Sequence, residues 1–185
     1  RGLSFYKSAF FMPMVTSTVA IAMVWYWLFA PDMGLINYLL GRLGIAGPGW
    51  LADPLWARAA VILMSSWSKM GYYFLLFLAG LKGISSAYYE AAEMDGANAW
   101  QRFRIVTLPA IMPVLATVVT LRTIWMFYMF ADVYLLTTKV DILGVYLYKT
   151  AFAFNDLGKA AAISVVLFII IFAVILLTRK RVNLN

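Results

Sequence analysis

Four long apolar segments, separated by shorter polar ones, dominate the pattern of hydrophobic positions along the chain. A helix needs roughly 20 apolar residues to cross a hydrocarbon core of about 30 Å. Segments of that length lie at about residues 10–29, 59–81, 108–130 and 160–178. Aromatic rings end the first segment and basic residues follow the fourth, as is typical of membrane interfaces. The pattern predicts an all-α, polytopic transmembrane helical bundle with four visible spans.

The composition agrees with a lipid environment and limits the catalytic and metal-binding groups that the chain offers. The chain is 64% hydrophobic and 12% charged, whereas soluble domains are about 45–50% apolar and about 25% charged. It contains no Cys and no His, so thiolate sites, the commonest metal ligand and the commonest general base are missing. We therefore expect neither an enzyme nor a bound metal. The net charge of +7 is scattered between apolar runs, so no nucleic-acid partner is expected.

The basic residues between the spans predict an orientation. Eight Lys and Arg flank the spans on one side and five on the other, and the richer side is expected to be cytoplasmic. Residues 82–107 then form a cytoplasmic loop, and the Gly- and Pro-rich residues 31–58 an external one. The eight are Arg1, Lys7, Lys82, Arg102, Arg104, Arg179, Lys180 and Arg181, and the five are Arg42, Arg58, Lys139, Lys149 and Lys159.

The cytoplasmic loop has the pattern of two short helices. An Ala- and Glu-rich stretch leads to Gly96, which suits a left-handed turn. A second, amphipathic stretch begins near Trp100 and Phe103, and Pro109 suits the first turn of the next span. Taken alone, these residues allow the apolar side of the loop to lie on the chain's own body, on lipid or on another subunit.

One stretch of this loop carries a specific motif. It reads Glu90-Ala91-Ala92, three residues, Gly96, nine residues, then Val106-Thr107-Leu108-Pro109. This order resembles the EAA loop of the integral-membrane permease subunits of ABC importers, with Val106 in the place of the usual Ile. The wider chain is similar to the maltose and glycerol-phosphate branch of these binding-protein-dependent permeases. The similar segments are residues 29–32 (FAPD), 34–37 (GLIN), 77–81 (FLAGL), 95–97 (DGA), 100–103 (WQRF) and 132–137 (DVYLLT).

The resemblance has two departures. The family core has six spans, so residues 1–185 are expected to form a single permease domain that is N-terminally incomplete, with the coupling loop at 85–107. A Gly-Gly-Pro segment usually follows the Leu-Thr of the last similar segment, but here Thr137 leads directly into Thr138. We expect residues to be missing at this junction.

The resemblance implies a transport subunit of the prokaryotic cytoplasmic (inner) membrane. Its loop would dock on an ATPase subunit and transmit ATPase closure, with Glu90 making a polar contact and small residues allowing close approach. Trp100 and Phe103 are expected to pack against the chain's own spans. No Walker A motif is present, so ATP and Mg²⁺ are expected in the partner subunits and no cofactor in this chain. The residues assigned to ATPase coupling are Glu90, Ala91, Ala92, Asp95 and Gly96.

The same resemblance implies a set of partners. They are a second homologous permease, two ABC ATPase subunits, an extracytoplasmic solute-binding protein, membrane lipid and a sugar, expected to be a di- or oligosaccharide.

Polar residues inside two spans are candidates for the solute path. Lys69 and Arg122 are costly at mid-bilayer and should face a bundle interior or a water-filled cavity. Residues with hydroxyl groups recur at helical spacing near Lys69 and near Arg122, and each set forms a polar stripe that suits a sugar. Such hydroxyls also commonly bond their own or a neighbouring helix, and the two cations could instead be structural. The stripes are Ser65, Ser68, Lys69 and Tyr72 on one span and Thr117, Thr120, Arg122 and Thr123 on the other.

Three alternative functions stay open. The two cations suit a phosphate, so a glycerol-phosphate or other polar-solute permease is one. An ion-coupled secondary transporter is disfavoured because all eight acidic residues lie in loops or at span ends. A membrane-bound enzyme is disfavoured by the missing His, Cys and paired intramembrane carboxylates.

Overall fold

The computed structural model describes residues 2–182, with side chains for Tyr6 and residues 10–177. Arg1 of the orientation argument lies outside the described residues, as do the side chains of Lys7, Arg179, Lys180 and Arg181. The described chain is helical and contains no strand. The α-helices are α1 (Gly2–Val15), α2 (Thr18–Leu28), α3 (Leu35–Arg42), α4 (Pro54–Lys82), α5 (Ser86–Met94), α6 (Ala99–Arg102), α7 (Leu108–Tyr128), α8 (Ala131–Leu136), α9 (Leu143–Tyr148) and α10 (Leu157–Val182), and π-helical segments cover Phe103–Thr107 and Lys149–Ala153.

Three helical stretches of the described chain are long and apolar enough to cross a membrane. They are Pro54–Lys82, Ala99–Tyr128 and Leu157–Leu177. They coincide with the second, third and fourth predicted spans, and the predicted all-helical membrane fold is confirmed. The middle stretch joins α6, the first π-helical segment and α7, so it begins well before Pro109.

The first predicted span is different. Residues 10–29 do not form one helix, because α1 ends at Val15 and the 11-residue α2 begins only at Thr18. Pro13 lacks the N–H of a regular turn, and the Thr16 hydroxyl donates to the Met12 carbonyl at 2.9 Å. Ser17 is extended, with φ −57° and ψ 135°. The prediction of a continuous 20-residue span here is therefore wrong, and α2 is a shorter apolar helix.

Within the described residues, one compact unit comprises residues 2–71 and 126–170. Helix α2 packs against α8, and the fully buried Phe29, Met64 and Leu136 belong to the core between these elements and α4. Residues 31–58, the predicted external loop, pack on this core through Trp50, whose ring lies 5.2 Å from that of Phe29 and whose Nε1 donates to Asn37 at 2.8 Å. They comprise α3, turns and the first residues of α4.

The second compact unit comprises residues 72–125 and, of the described C-terminal residues, 171–182. It contains the end of α4, the 85–107 hairpin (α5, a turn, α6 and the π-helical segment) and most of α7. Helices α4 and α7 approach closely at Gly80, where a Cβ would lie 2.8 Å from the Val114 side chain. The missing side chain of Gly80 thus permits close contact between α4 and α7, the two helices that the hairpin connects.

Candidate functional site

Helix α5 carries most of the residues assigned to ATPase coupling. Ser85 is its N-cap, and its hydroxyl accepts a hydrogen bond from the Ala87 N–H at 3.3 Å. The side chains of Glu90 and Ala91 are exposed, whereas Ala92 is half-buried. The role in ATPase coupling that the resemblance implies for these residues stays a prediction.

The turn after α5 is a Schellman motif, the helix ending in which a left-handed residue lets two N–H groups bond back to the last turn. Gly96 has φ +78°. Its N–H donates to the Glu93 carbonyl at 2.9 Å, and the Ala97 N–H donates to the Ala92 carbonyl at 2.9 Å. The predicted left-handed turn at Gly96 is therefore confirmed, and it reverses the chain between α5 and α6.

A reciprocal capping box starts α6, and sequence reasoning missed it. The Gln101 N–H donates to the Asn98 side chain at 2.9 Å, and the Asn98 N–H donates to the Gln101 side chain at 2.8 Å. The spacing Asn-x-x-Gln is the signal that could have revealed it. Since the box follows the Schellman turn directly, residues 95–101 form one continuously hydrogen-bonded corner.

An ion pair closes the hairpin across this corner. Arg102 Nη1 lies 2.9 Å from Glu93 Oε2. The pair has no local sequence signal, because its members lie nine positions apart on either side of a turn. Neither Glu90 nor Asp95 forms a salt bridge with another described side chain, so the hairpin presents two carboxylates whose charge is not neutralised within the described chain.

The hairpin runs into α7 without a break. The π-helical segment Phe103–Thr107 makes this connection, and the Leu108 N–H bonds to the Phe103 carbonyl five residues earlier. Pro109 offers no N–H to the preceding turn, which is a physical reason for the wider winding there. Pro109 is the second residue of α7 and so lies in its first turn, as predicted, although the apolar helical stretch that contains α7 already begins at Ala99.

Two aromatic rings of the hairpin lie at its surface. Trp100 and Phe103 stack with 5.5 Å between ring centroids and an interplanar angle of 24°. They are 69% and 44% exposed. The prediction that they pack against the chain's own spans is therefore wrong for the described chain. Each ring covers the other, and the pair leaves an apolar patch beside α5.

A groove of about 600 Å³ lies in the second unit, between the end of α4, α5 and the beginning of α7. Small residues form much of its wall, including Gly80, Gly83 and Ala92. Asp95 lies at the same groove. Two of the residues assigned to ATPase coupling, Ala92 and Asp95, are thus brought together at one concave surface.

The polar stripe on α4 lies partly in the packed face of the first unit. Ser65 and Ser68 are only 1% and 3% exposed, and they share their helix face with the core residue Met64. Ser68 donates to the Ser65 carbonyl at 3.1 Å. Lys69 is half-buried. These hydroxyls satisfy helix carbonyls, and a substrate role for Ser65, Ser68 and Lys69 stays a prediction.

The polar stripe on α7 belongs to the second unit. Each of its threonine hydroxyls donates to the carbonyl four residues earlier, at 2.8–2.9 Å. Arg122 is half-buried beside Tyr73. Tyr72 lies against Trp125, with ring centroids 5.1 Å apart. A substrate role for these residues also stays a prediction, and the threonines are Thr117, Thr120 and Thr123.

No group of three or more acidic side chains that could hold a metal ion occurs within the described residues. Within the described residues, the surface hairpin and the membrane-length helices are therefore the features that indicate a function.

Membrane-length helices that carry a hydrogen-bonded EAA hairpin define the chain as a polytopic permease-type membrane protein. The chain belongs to the family of binding-protein-dependent transport system inner membrane components, whose model matches residues 4–181. This establishes the ABC-importer permease class and the inner-membrane location predicted from the sequence. Members of this class are transport components rather than catalytic subunits.

Curated relatives match nearly all of the chain. It is 66% identical over 182 residues to the inner membrane ABC transporter permease protein YcjO of Escherichia coli K12, covering 97% of this chain and 62% of the relative. It is 36% identical to the arabinooligosaccharides transport system permease protein AraP of Bacillus subtilis, covering 95% and 58%. It is 32% identical to the lactose transport system permease protein LacF of Rhizobium radiobacter, covering 90% and 59%. The chain thus spans about three fifths of these relatives' length.

Solved structures share the fold. A chain of a bacterial ABC transporter that imports the acidic polysaccharide alginate superposes with a TM-score of 0.81 at 23% identity, covering 97% of this chain and 65% of that one. The alginate transporter in complex with an alginate pentasaccharide-bound periplasmic protein gives a TM-score of 0.82, also at 23% identity, with 95% and 63% covered. The arrangement of helices in this chain is therefore that of an ABC permease membrane domain.

Proposed function

We propose that this chain is the permease domain of an ATP-driven importer and forms, with a second homologous permease, the membrane pathway for a di- or oligosaccharide. The observation that carries the proposal is the EAA hairpin, an exposed helix with a closed turn joined directly to a membrane-length helix. An external solute-binding protein would deliver the sugar, and two ABC ATPase subunits would bind ATP and Mg²⁺.

The hairpin surface supports docking on an ATPase. Ala91 and Gly96 are exposed and small, so a partner backbone can approach closely. Glu90 and Asp95 offer carboxylates that no described basic side chain neutralises. Such groups suit a basic residue of the ATPase, because a charge-assisted hydrogen bond is stronger than a neutral one. We assign ATPase coupling to Glu90, Ala91, Ala92, Asp95 and Gly96.

The names of relatives support a saccharide. Two curated relatives are named for arabinooligosaccharides and lactose, and the structural neighbours import alginate. Among the candidate path residues, Tyr72 supplies an aromatic group, one of the kinds of group that sugars need. Lys69 and Arg122 suit a phosphate, so glycerol phosphate is the second candidate.

The coupling test compares two carboxylates on the same helix. The complete importer is reconstituted in proteoliposomes with wild-type, Glu90→Gln or Glu93→Gln permease, and ATPase co-purification and ATP hydrolysis are measured. We expect Glu90→Gln to weaken ATPase association at least tenfold, and Glu93→Gln to leave it within about twofold because Glu93 pairs inside the hairpin. Equal association for all three proteins would contradict the proposed docking surface.

The substrate test uses chemically distinct solutes. Proteoliposomes that contain the external binding protein are given radiolabelled lactose, arabinotriose or glycerol 3-phosphate, with and without internal ATP. ATP-dependent uptake of either sugar is expected. Uptake of glycerol 3-phosphate alone would favour the second candidate, and uptake that requires an ion gradient in place of ATP would overturn the importer proposal.

A further inference from the structure

Thr107 differs from the other helix hydroxyls in its choice of partner. Other hydroxyls of the described chain donate to the carbonyl four residues earlier, namely those of Thr16, Thr117, Thr120, Thr123, Thr150 and Ser164. The Thr107 hydroxyl instead pairs with the Tyr89 hydroxyl at 2.9 Å, across 18 residues of sequence. This bond joins α5 to the residue that immediately precedes α7.

Thr107 is the last residue of the π-helical segment, in which the Phe103 carbonyl accepts the Leu108 N–H five residues later. A π-turn contains one residue more than an α-helical turn. The side chains that follow it are therefore rotated about the helix axis by about 100° relative to their positions in a regular α-helix. The wider turn therefore gives Thr107 an orientation toward α5 that a regular helix would not.

The bond lies where a link between the hairpin and the span is needed. Tyr89 immediately precedes Glu90 on α5, and Thr107 immediately precedes Leu108 of α7. Both side chains are half-buried, so the bond is less exposed to competition from water than a surface contact. The Schellman turn and the capping box hold the far end of the hairpin, and the Tyr89–Thr107 bond holds the end next to the membrane.

We infer that Tyr89 and Thr107 are positioning residues that form a strut, through which a displacement of α5 moves α7 as one body. The inference rests on the proposed function, because a strut has a role only if an ATPase displaces α5. Without the strut, α5 would be joined to α7 through the turn, α6 and the π-helical segment, and the irregular winding of that segment would let α5 turn separately from α7.

The test measures the distance between the hairpin and the span in the complete complex. The 185 residues contain no cysteine, so spin labels can be placed on this chain at Ala87→Cys in α5 and Met112→Cys in α7, both exposed sites. Distance distributions are recorded without nucleotide and after trapping with ATP and vanadate. Wild-type protein is expected to keep one narrow distribution in both states.

Variants remove the bond one hydroxyl at a time. In Tyr89→Phe and in Thr107→Val, the population of a second, broad distance component is expected to rise about three- to tenfold, the effect of losing one hydrogen bond. The double variant should match either single one, because the same bond is lost. Thr107→Ser should restore the narrow distribution, and Thr117→Val, which removes a hydroxyl bonded only within its helix, should not alter it.

The outcomes separate the strut from the proposed function. If ATPase co-purifies with every variant but Tyr89→Phe and Thr107→Val keep the wild-type distribution, the strut is overturned while the importer stands. If ATPase fails to bind the wild-type complex, the proposed function itself fails. If one variant does not assemble, the other still decides, because each removes the same bond from a different side.

Discussion

The 85–107 hairpin and the polar stripes of α4 and α7 use similar residues in different ways. In the hairpin, polar side chains join separate elements: Glu93 reaches Arg102, and Tyr89 reaches Thr107. In the stripes, hydroxyls such as those of Ser68 and Thr120 bond carbonyls of their own helix. The hairpin is therefore held by its polar groups, whereas the stripes satisfy theirs locally.

This difference shows what residue spacing can and cannot indicate. Spacing fixes the helix face on which a hydroxyl lies, but the bond it makes depends on which acceptor is nearest. Within a helix the nearest acceptor for a Ser or Thr hydroxyl is commonly the carbonyl four residues earlier. A turn, by contrast, brings distant side chains together, so its polar residues acquire partners that define a shape.

The strongest test of this comparison alters the hairpin turn at Gly96. Gly96→Ala places an L-residue at φ +78°, which costs about 1–2 kcal/mol. Nothing would lie within 4 Å of the added Cβ, so the cost is conformational only. We expect the affinity of the reconstituted permease for its ATPase to fall about tenfold in a fluorescence titration.

A matched control lies on α3. A Cβ at Gly41 would also have no neighbour within 4 Å, but this glycine is helical, so Gly41→Ala should leave ATPase affinity unchanged and slightly raise thermal stability. Gly96→Asn should be milder than Gly96→Ala, because Asn tolerates the left-handed region better. Equal affinities for Gly96→Ala and wild type would mean that the hairpin shape does not govern docking.

Much of this arrangement could be predicted from the sequence because its signals are local. Long apolar runs gave three of the four spans, and Gly96 marked the left-handed turn. The family resemblance, carried by residues 90–109, agrees with the family model that matches residues 4–181. Each of these signals depends on nearby residues or on a run of one residue class.

Other features of the structure could not be predicted, because each depends on which of several competing interactions is strongest. The pattern of hydrophobic positions does not rank those interactions. The interruption between α1 and α2 arises where Pro13 and the Thr16 hydroxyl disturb an otherwise apolar run. The π-helical segment before Pro109 changes the register without changing the composition. Trp100 has the character of a core residue, yet it stacks on Phe103 at the surface. Hydrophobicity alone does not say whether a partner is another helix or another molecule.

A smaller effect is expected at the exposed ring pair. Trp100→Ala removes a ring that is 69% exposed, so the permease's own thermal stability should change little. If the pair contributes to the ATPase contact, the affinity should fall about five- to tenfold, since buried Trp residues dominate many interfaces. The measurement is the same titration, with Trp27→Ala, an exposed Trp of the other unit, as control. An unchanged affinity would restrict the docking surface to α5 and its turn.

The polar stripes should respond more weakly still. Ser68→Ala and Thr120→Val remove hydroxyls that bond their own helices, so each should cost at most about 1 kcal/mol of stability. Uptake of lactose or arabinotriose should change less than about twofold in concentration-dependence curves. A rise of tenfold or more in the KM of one variant would place that hydroxyl on the solute path and remove the contrast with the hairpin.

The ion pair of the hairpin is expected to have the smallest effect. Glu93 and Arg102 lie 2.9 Å apart, but their side chains are 69% and 30% exposed, and exposed pairs contribute about 0.2–1 kcal/mol. A double-mutant cycle with Glu93→Gln and Arg102→Gln, read by thermal unfolding of the assembled complex, should give a coupling energy in that range that shrinks as salt is added. A larger, salt-independent coupling would mean that the pair is desolvated in the complex. The partner would then cover the Glu93 side of α5, and the docking surface would extend beyond the face that carries Glu90.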